Sequence, residues 1–130
     1  MTNHPTPYEI YLVPDGEDKI KYVRDQKIRD AGTFTILRED HTLANLLRSQ
    51  LLTNPKVLFC GYKVPHPLDN LVEIKIQTTS DTDPMTVMRN EVDALIAQVS
   101  DITEKFKNEL TLRGVNQGGA QTSFAVDRDF

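Results

Sequence analysis

Between residues 71 and 79 hydrophobic and polar side chains alternate: Val72, Ile74 and Ile76 against Glu73, Lys75 and Gln77. A period of two places successive side chains on opposite faces, so this is a strand with one dry and one wet face. Thr33 to Leu37 repeats the pattern, with Phe34 and Ile36 facing one way and the β-branched Thr33 and Thr35 the other. Lys19 to Arg24 sets Ile20 and Tyr22 between basic residues and predicts a weaker strand. Tyr8 to Val13 alternates Tyr8, Ile10 and Leu12 against Glu9, Tyr11 and Val13 and predicts a first strand, closed by the turn Pro14-Asp15-Gly16. Residues 25–32 are charged, end in Gly32 and read as a loop. Val57 to Val64 is apolar at both kinds of position, the pattern of a covered strand, and Pro65-His66-Pro67 ends its pairing because proline has no N–H to give.

Two segments follow the helical period instead. Leu43, Leu46, Leu47 and Leu51 form one apolar stripe. Asp40 stands where its carboxylate can cap the first turn, and Asn54-Pro55 stops the helix. The second helix opens at Asp83-Pro84, a capping residue followed by proline at the first helical position, and Gly114 is its natural stop. Its apolar residues are Met85, Met88, Val92, Leu95, Val99, Ile102 and Phe106, in alternating steps of three and four. That is a heptad seam, widened by Val87, Ile96 and Leu110. The charges Arg89, Glu91, Asp93, Asp101, Glu104, Lys105 and Lys107 fall mostly elsewhere.

Such a stripe has two readings: a face covering the domain's own sheet, or a seat for a partner helix. Length favours the second. A helix of about 29 residues is about 44 Å long at 1.5 Å per residue. Strands of about five to nine residues span only about 17–30 Å. The overhang would leave Ile102, Phe106 and Leu110 in water, where each forgoes about 1.5–3 kcal/mol of burial. The predicted fold is α+β: a mostly antiparallel sheet, one short helix and a long C-terminal helix. Residues 1–114 form a single domain, and residues 115–130, rich in Gly, Asn and Gln, are expected to be a flexible tail.

Charge narrows the partners. The net charge of the 130 residues is −4. Residues 1–65 carry nine basic and eight acidic side chains, whereas residues 66–130 carry six and eleven. No basic cluster of the kind that binds DNA or RNA is present, so contact with nucleic acid is expected only through a partner. No run reaches the roughly 18 apolar residues of a membrane helix, and residues 1–7 lack an apolar signal core. The single Cys60 leaves no internal disulfide and fits a reducing compartment. A soluble intracellular protein is expected.

Candidate chemistry is sparse. His41, Cys60 and His66 are the soft metal ligands of the folded part, and they lack the spacing of a metal site. A Cys–His nucleophile pair would need a third group to orient it, and none is placed to do so. There is no phosphate-cradling glycine loop. Structural roles are expected for all three residues: a helix start for His41, a turn between prolines for His66 and a small core hydrophobe for Cys60. Arg48 reads as a solvated helix charge or as an interface contact. No catalytic residue, cofactor site or metal site is expected. A stand-alone small-molecule enzyme or metal protein using His41, Cys60 and His66, and a direct nucleic-acid binder, are the alternatives that metal analysis and salt-dependent binding would reveal.

The run Glu39-Asp40-His41-Thr42-Leu43-Ala44-Asn45-Leu46-Leu47-Arg48, the strand Val57-Leu58-Phe59-Cys60-Gly61-Tyr62-Lys63-Val64 with Pro65-His66-Pro67-Leu68, and Ile76-Gln77-Thr78-Thr79 resemble the small alpha-like subunits of RNA polymerases. That family takes in the eleventh subunit of eukaryotic RNA polymerase II, the small subunit shared by polymerases I and III, the archaeal L subunit and the dimerisation part of bacterial alpha. The resemblance covers roughly residues 8–112. Tyr62-Lys63-Val64 before the Pro-His-Pro, and a start without a long acidic extension, are closer to the polymerase II member than to the shared one. Ala44 departs from the pattern, which commonly has glycine there.

The resemblance implies an alpha dimerisation fold and a nuclear, non-catalytic subunit. It implies a heterodimer with the larger alpha-like (third) subunit, on which the second-largest subunit and the rest of the polymerase assemble. The magnesium and the nucleic acids belong to the largest subunits. Carried over, one interface helix is His41 to Leu52, through Leu43, Leu46, Leu47 and Leu51. The other is the seam from Met88 to Phe106, through Met88, Val92, Leu95, Val99, Ile102 and Phe106.

Overall fold

The computed structural model describes residues 7–114, so the expected tail 115–130 lies outside the described residues. Two compact units divide the chain within its last helix, the first ending at Asp93 and the second beginning at Ala94.

The first unit is built on a four-stranded antiparallel sheet of β1 (Ile20–Arg24), β2 (Ala31–Leu37), β3 (Val57–Lys63) and β4 (Leu71–Thr78), in the order β1-β2-β4-β3. Register sets which residues share a face. Phe34 pairs with Ile74 and Ile36 with Val72, and on the other flank Cys60 pairs with Ile76. These residues are buried, and they form the core face expected from the alternation in β2 and β4. Thr33, Thr35, Glu73, Lys75 and Gln77 line the other, half-exposed face.

Helix α1 (His41–Leu52) packs on β3 and β4 and buries Ala44, Leu47 and Leu51. Helix α2 (Pro84–Leu112) contributes Pro84, Val87 and Met88 to the buried residues of the first unit. Both starts obey the predicted capping chemistry. The Asp40 carboxylate accepts the Thr42 N–H at 2.9 Å, and the Asp83 carboxylate accepts the Thr86 N–H at 2.7 Å. Each satisfies a backbone donor that has no partner inside its helix. In the second unit α2 ends before Gly114, whose φ of +69° is open to glycine at little cost.

Three expectations are corrected. Tyr8 to Val13 is not a strand. Pro7–Ile10 form a 3-10 turn, with the Tyr8 carbonyl accepting the N–H groups of Tyr11 and Leu12. Alternation makes a strand only where the backbone joins a ladder, and here the Glu9 carbonyl is taken instead by the side chains of Arg38 and Asn70. Second, β2 starts at Ala31, so Ala31 and Gly32 are buried strand residues rather than loop. Third, β3 is not covered on both faces. It is an edge strand paired only with β4, and a register shift separates Val57 from Phe59. Leu58 and Phe59 are exposed, and Cys60 is the strand's one buried residue.

Candidate interaction surfaces

The first unit presents the outer side of α1. Its polar residues are ordered against β3. The His41 Nδ1 lies 2.9 Å from the Tyr62 hydroxyl, and the two rings meet edge to face at 5.6 Å. The Arg48 guanidinium stands 6.0 Å from the Tyr62 ring centroid and donates to Asn45 Oδ1 at 2.7 Å. Capping sets the start of this row, since the hydrogen bonds from Thr42 hold the Asp40 carboxyl below the usual aspartate range. Asn45, Leu46 and Arg48 are thus positioned on a helix fixed at its first turn.

The expected stripe of α1 divides. Leu47 and Leu51 are consumed by the chain's own core, Leu43 is half-buried and Leu46 is exposed. Leu52, the last residue of the expected interface helix, is exposed as well. On α2, Met88 is buried within the first unit, while Val92 and Leu95 are half-buried.

Among the described residues, the second unit is the rest of α2 with Arg113 and Gly114, and here the seam is exposed. Val99 is 56%, Ile102 65% and Phe106 64% exposed, and Ile96 is exposed beside them. The structure therefore sorts the ten expected residues into three already buried, three half-buried and four exposed: Leu46, Val99, Ile102 and Phe106. Apolar side chains of this size, exposed in register over successive turns, form a surface that a partner helix can bury.

The residues considered for chemistry do not converge. Cys60 is buried, and burial pushes its thiol up to about 11, far from the range of a reactive thiolate. His41 is engaged with Tyr62, and His66 Nδ1 accepts the Leu68 N–H in an exposed turn. Among the described residues, no three His, Cys, Asp or Glu side chains are grouped to hold a metal ion. No helix among them is long and apolar enough to cross a membrane.

Known proteins are similar to this chain. The model of the RNA polymerase Rpb3/Rpb11 dimerisation domain matches residues 31–105, which is β2 through most of α2. The DNA-directed RNA polymerase II subunit rpb11 of Dictyostelium discoideum is 40% identical over 104 residues, covering 80% of this chain and 87% of that protein. The RPB11 subunit of Schizosaccharomyces pombe is 37% identical over 123 residues, covering 95% and 99%. Among solved structures, DNA-directed RNA polymerase subunit L of Thermoplasma acidophilum superposes with a TM-score of 0.60 at 20% identity, over 76% of this chain and 96% of that one. The last comparison concerns the fold.

Proposed function

Since the chain belongs to the RNA polymerase Rpb3/Rpb11 dimerisation family, we propose that it is the Rpb11-type subunit of DNA-directed RNA polymerase II, a nuclear and non-catalytic protein that pairs with the larger alpha-like subunit. The names of the relatives support polymerase II over the polymerases I and III. One observation carries the pairing: the exposed apolar row Val99, Ile102 and Phe106 on the second unit's helix. Burying each of these against a partner is worth about 1.5–3 kcal/mol, enough for a few such residues to dominate an interface. Leu46 and Leu52 on α1 offer further apolar contact, and Arg48 a directional polar one.

The pair then serves as the platform on which the second-largest subunit and the remaining polymerase assemble. This chain contributes shape and apolar area to that assembly and leaves magnesium and nucleic acid to other subunits.

Co-expression with the larger alpha-like subunit tests the proposal. The wild-type pair is expected to purify as a soluble 1:1 complex. Val99→Asp places a charge in the buried seam without touching the chain's own core, and should abolish the complex while far-UV circular dichroism of the chain is retained. A Val99→Asp chain that still forms the complex with unchanged affinity refutes the assignment of the seam.

A further inference from the structure

Ser80 sits in the turn that joins β4 to α2 within the first unit, and it is exposed. The described residues hold two other serines, Ser49 and Ser100, and each lies inside a helix. A helical serine has its backbone N–H and C=O committed to the helical ladder, so drawing it out as an extended chain breaks that ladder. Ser80 carries no such cost. The Thr82 N–H closes its turn on the Thr79 carbonyl over a long 3.4 Å.

Carboxylates follow Ser80 at fixed steps: Asp81 is the next residue and Asp83 the third after it. Both are exposed. Hydrogen bonds, first those from the side chains of Thr79 and Thr86, hold the two carboxyls below the usual aspartate range, so both are charged at neutral pH. Cations reach them across the fold: Lys56 Nζ lies 3.3 Å from the Asp81 carboxylate, and the charges of Arg24 and Arg89 act on Asp83. Along the chain itself there is none, since Ile76 to Pro84 contains no Lys, Arg or His. Sequence order is what counts once the segment is drawn out, because fold neighbours are then left behind. Thr78 stands at the same three-residue spacing from Asp81, but it is buried.

We propose that Ser80 is a phosphorylation site for an acid-directed Ser/Thr protein kinase, one whose groove presents basic side chains to the carboxylates of Asp81 and Asp83. The Ser80 Oγ attacks the γ-phosphorus of ATP and its proton passes to the kinase's carboxylate base. The bond from that phosphorus to the β–γ bridging oxygen breaks, and ADP leaves. Other kinase classes read other chemistry. An arginine-directed kinase needs a cation three residues before the acceptor and a proline-directed one a proline just after it, where this chain has Gln77 and Asp81. The phosphate adds about −1.5 to −2 charges to the exposed turn. Lys56, already beside Asp81, is placed to turn to it, because a phosphate dianion is the stronger acceptor. The site does not rest on the proposed pairing.

The test incubates the full chain with ATP, magnesium and one kinase of each class, acid-directed, arginine-directed and proline-directed, and locates the phosphate by peptide mass spectrometry. The acid-directed kinase alone should label Ser80 and should leave Ser49, Thr78 and Ser100 bare. Ser80→Ala should remove that label. Asp83→Asn should lower kcat/KM for Ser80 by about tenfold, through the lost charge. Asparagine still caps α2, so thermal unfolding of this variant should match the wild type and separate recognition from folding. The chain isolated from its own cells under phosphatase inhibition should carry the same phosphate. The proposal is overturned if Ser80 stays unlabelled, if Ser49 or Ser100 is labelled as readily, or if either other kinase labels Ser80 as fast. It is equally overturned if Asp83→Asn leaves the rate unchanged, or if the chain from cells carries no phosphate at Ser80.

Discussion

The Glu91 carboxylate accepts a hydrogen bond from the Asn54 side-chain amide at 2.7 Å, and its other oxygen accepts one from Gln50 at 2.8 Å. Asn54 lies just past the end of α1 and Glu91 lies in the third turn of α2, so one carboxylate joins the two helices within the first unit. Hydrogen bonds to a charged group contribute about 1.5–3 kcal/mol each, and leaving a part-buried amide unpaired adds to the loss. Glu91→Ala should therefore lower stability by about 2 kcal/mol. Asn54→Ala should add less in the Glu91→Ala background than it costs alone, because the two residues share one contact. Denaturant unfolding of the two single variants and the double variant measures this, and strictly additive losses would show that the bridge does not couple the helices.

The Tyr22 ring lies over Gly32, which fixes what position 32 can hold. A Cβ there would clash with Tyr22 Cε2. The ring also packs on Phe34, their centroids 4.7 Å apart. Gly32→Ala should cost about 1–3 kcal/mol, the usual range for overpacking a filled site. In a Tyr22→Ala background the same change should cost much less, since the obstructing ring is gone. Thermal unfolding of the four proteins decides the matter, and an equal cost in both backgrounds would locate the strain elsewhere.

Where the sequence was legible, the reason was local. Val72, Ile74 and Ile76 alternate because β4 is a central strand with one covered face, and that pattern survives in the sequence unaided. Asp40 and Asp83 announce their helices because a capping carboxylate acts within three residues of itself. The misreadings came from neighbours that a linear pattern does not name. Tyr8 to Leu12 alternates as a strand would, yet it pairs with no strand, although β1 and β3 each keep one edge free. Leu58 and Phe59 look like core, yet β3 lies at the edge of the sheet. Exposure along the candidate surface was half legible for the same reason. The heptad seam marks α2 as apolar but cannot divide Met88, which this chain buries, from Val99 and Ile102, which it leaves in water.

Strong acid should weaken the β1–β2 connection. The Asp25 carboxylate accepts the N–H groups of Ile28 and Lys27 at 3.0 and 2.8 Å and pairs with Lys75 at 3.1 Å. These contacts, the backbone hydrogen bonds first, lower its pKa to about 2 from an ordinary 3.8. A folded pKa below the unfolded one means that the stabilisation is fully present above pH 3.8 and is lost as pH falls through about 2. Asp25→Asn should flatten the dependence of stability on pH across that window and leave the dependence at neutral pH unchanged. Urea unfolding at stepped pH gives the slope, and an unchanged slope between the two values would remove Asp25 as its source.

Cys60 should be inert while the fold is intact. Burial disfavours its thiolate, raising the thiol to about 11, and the thiolate is the reactive form. Alkylation by iodoacetamide at pH 8 should be slow for the native chain and fast in denaturant. Rapid native labelling would mean that β3 opens readily at its free edge.

Leu46 and Leu51 lie on the same helix and should fail in opposite assays. Leu51 is fully enclosed, so Leu51→Ala leaves a cavity and should cost about 2–5 kcal/mol of stability. Leu46 is nearly half exposed, so Leu46→Ala removes little that the chain itself buries and should stay within about 0.5 kcal/mol in unfolding experiments. If α1 is an interface helix, Leu46→Ala should weaken binding to the larger alpha-like subunit, with the loss appearing mainly as faster dissociation. Leu51→Ala should affect binding only in proportion to its effect on folding. Chemical denaturation of each chain and dissociation kinetics of each pair, measured side by side, separate the two roles. A Leu46→Ala chain that dissociates at the wild-type rate would confine the interface on α1 to other residues, with Leu43, Leu52 and Arg48 next to be tested.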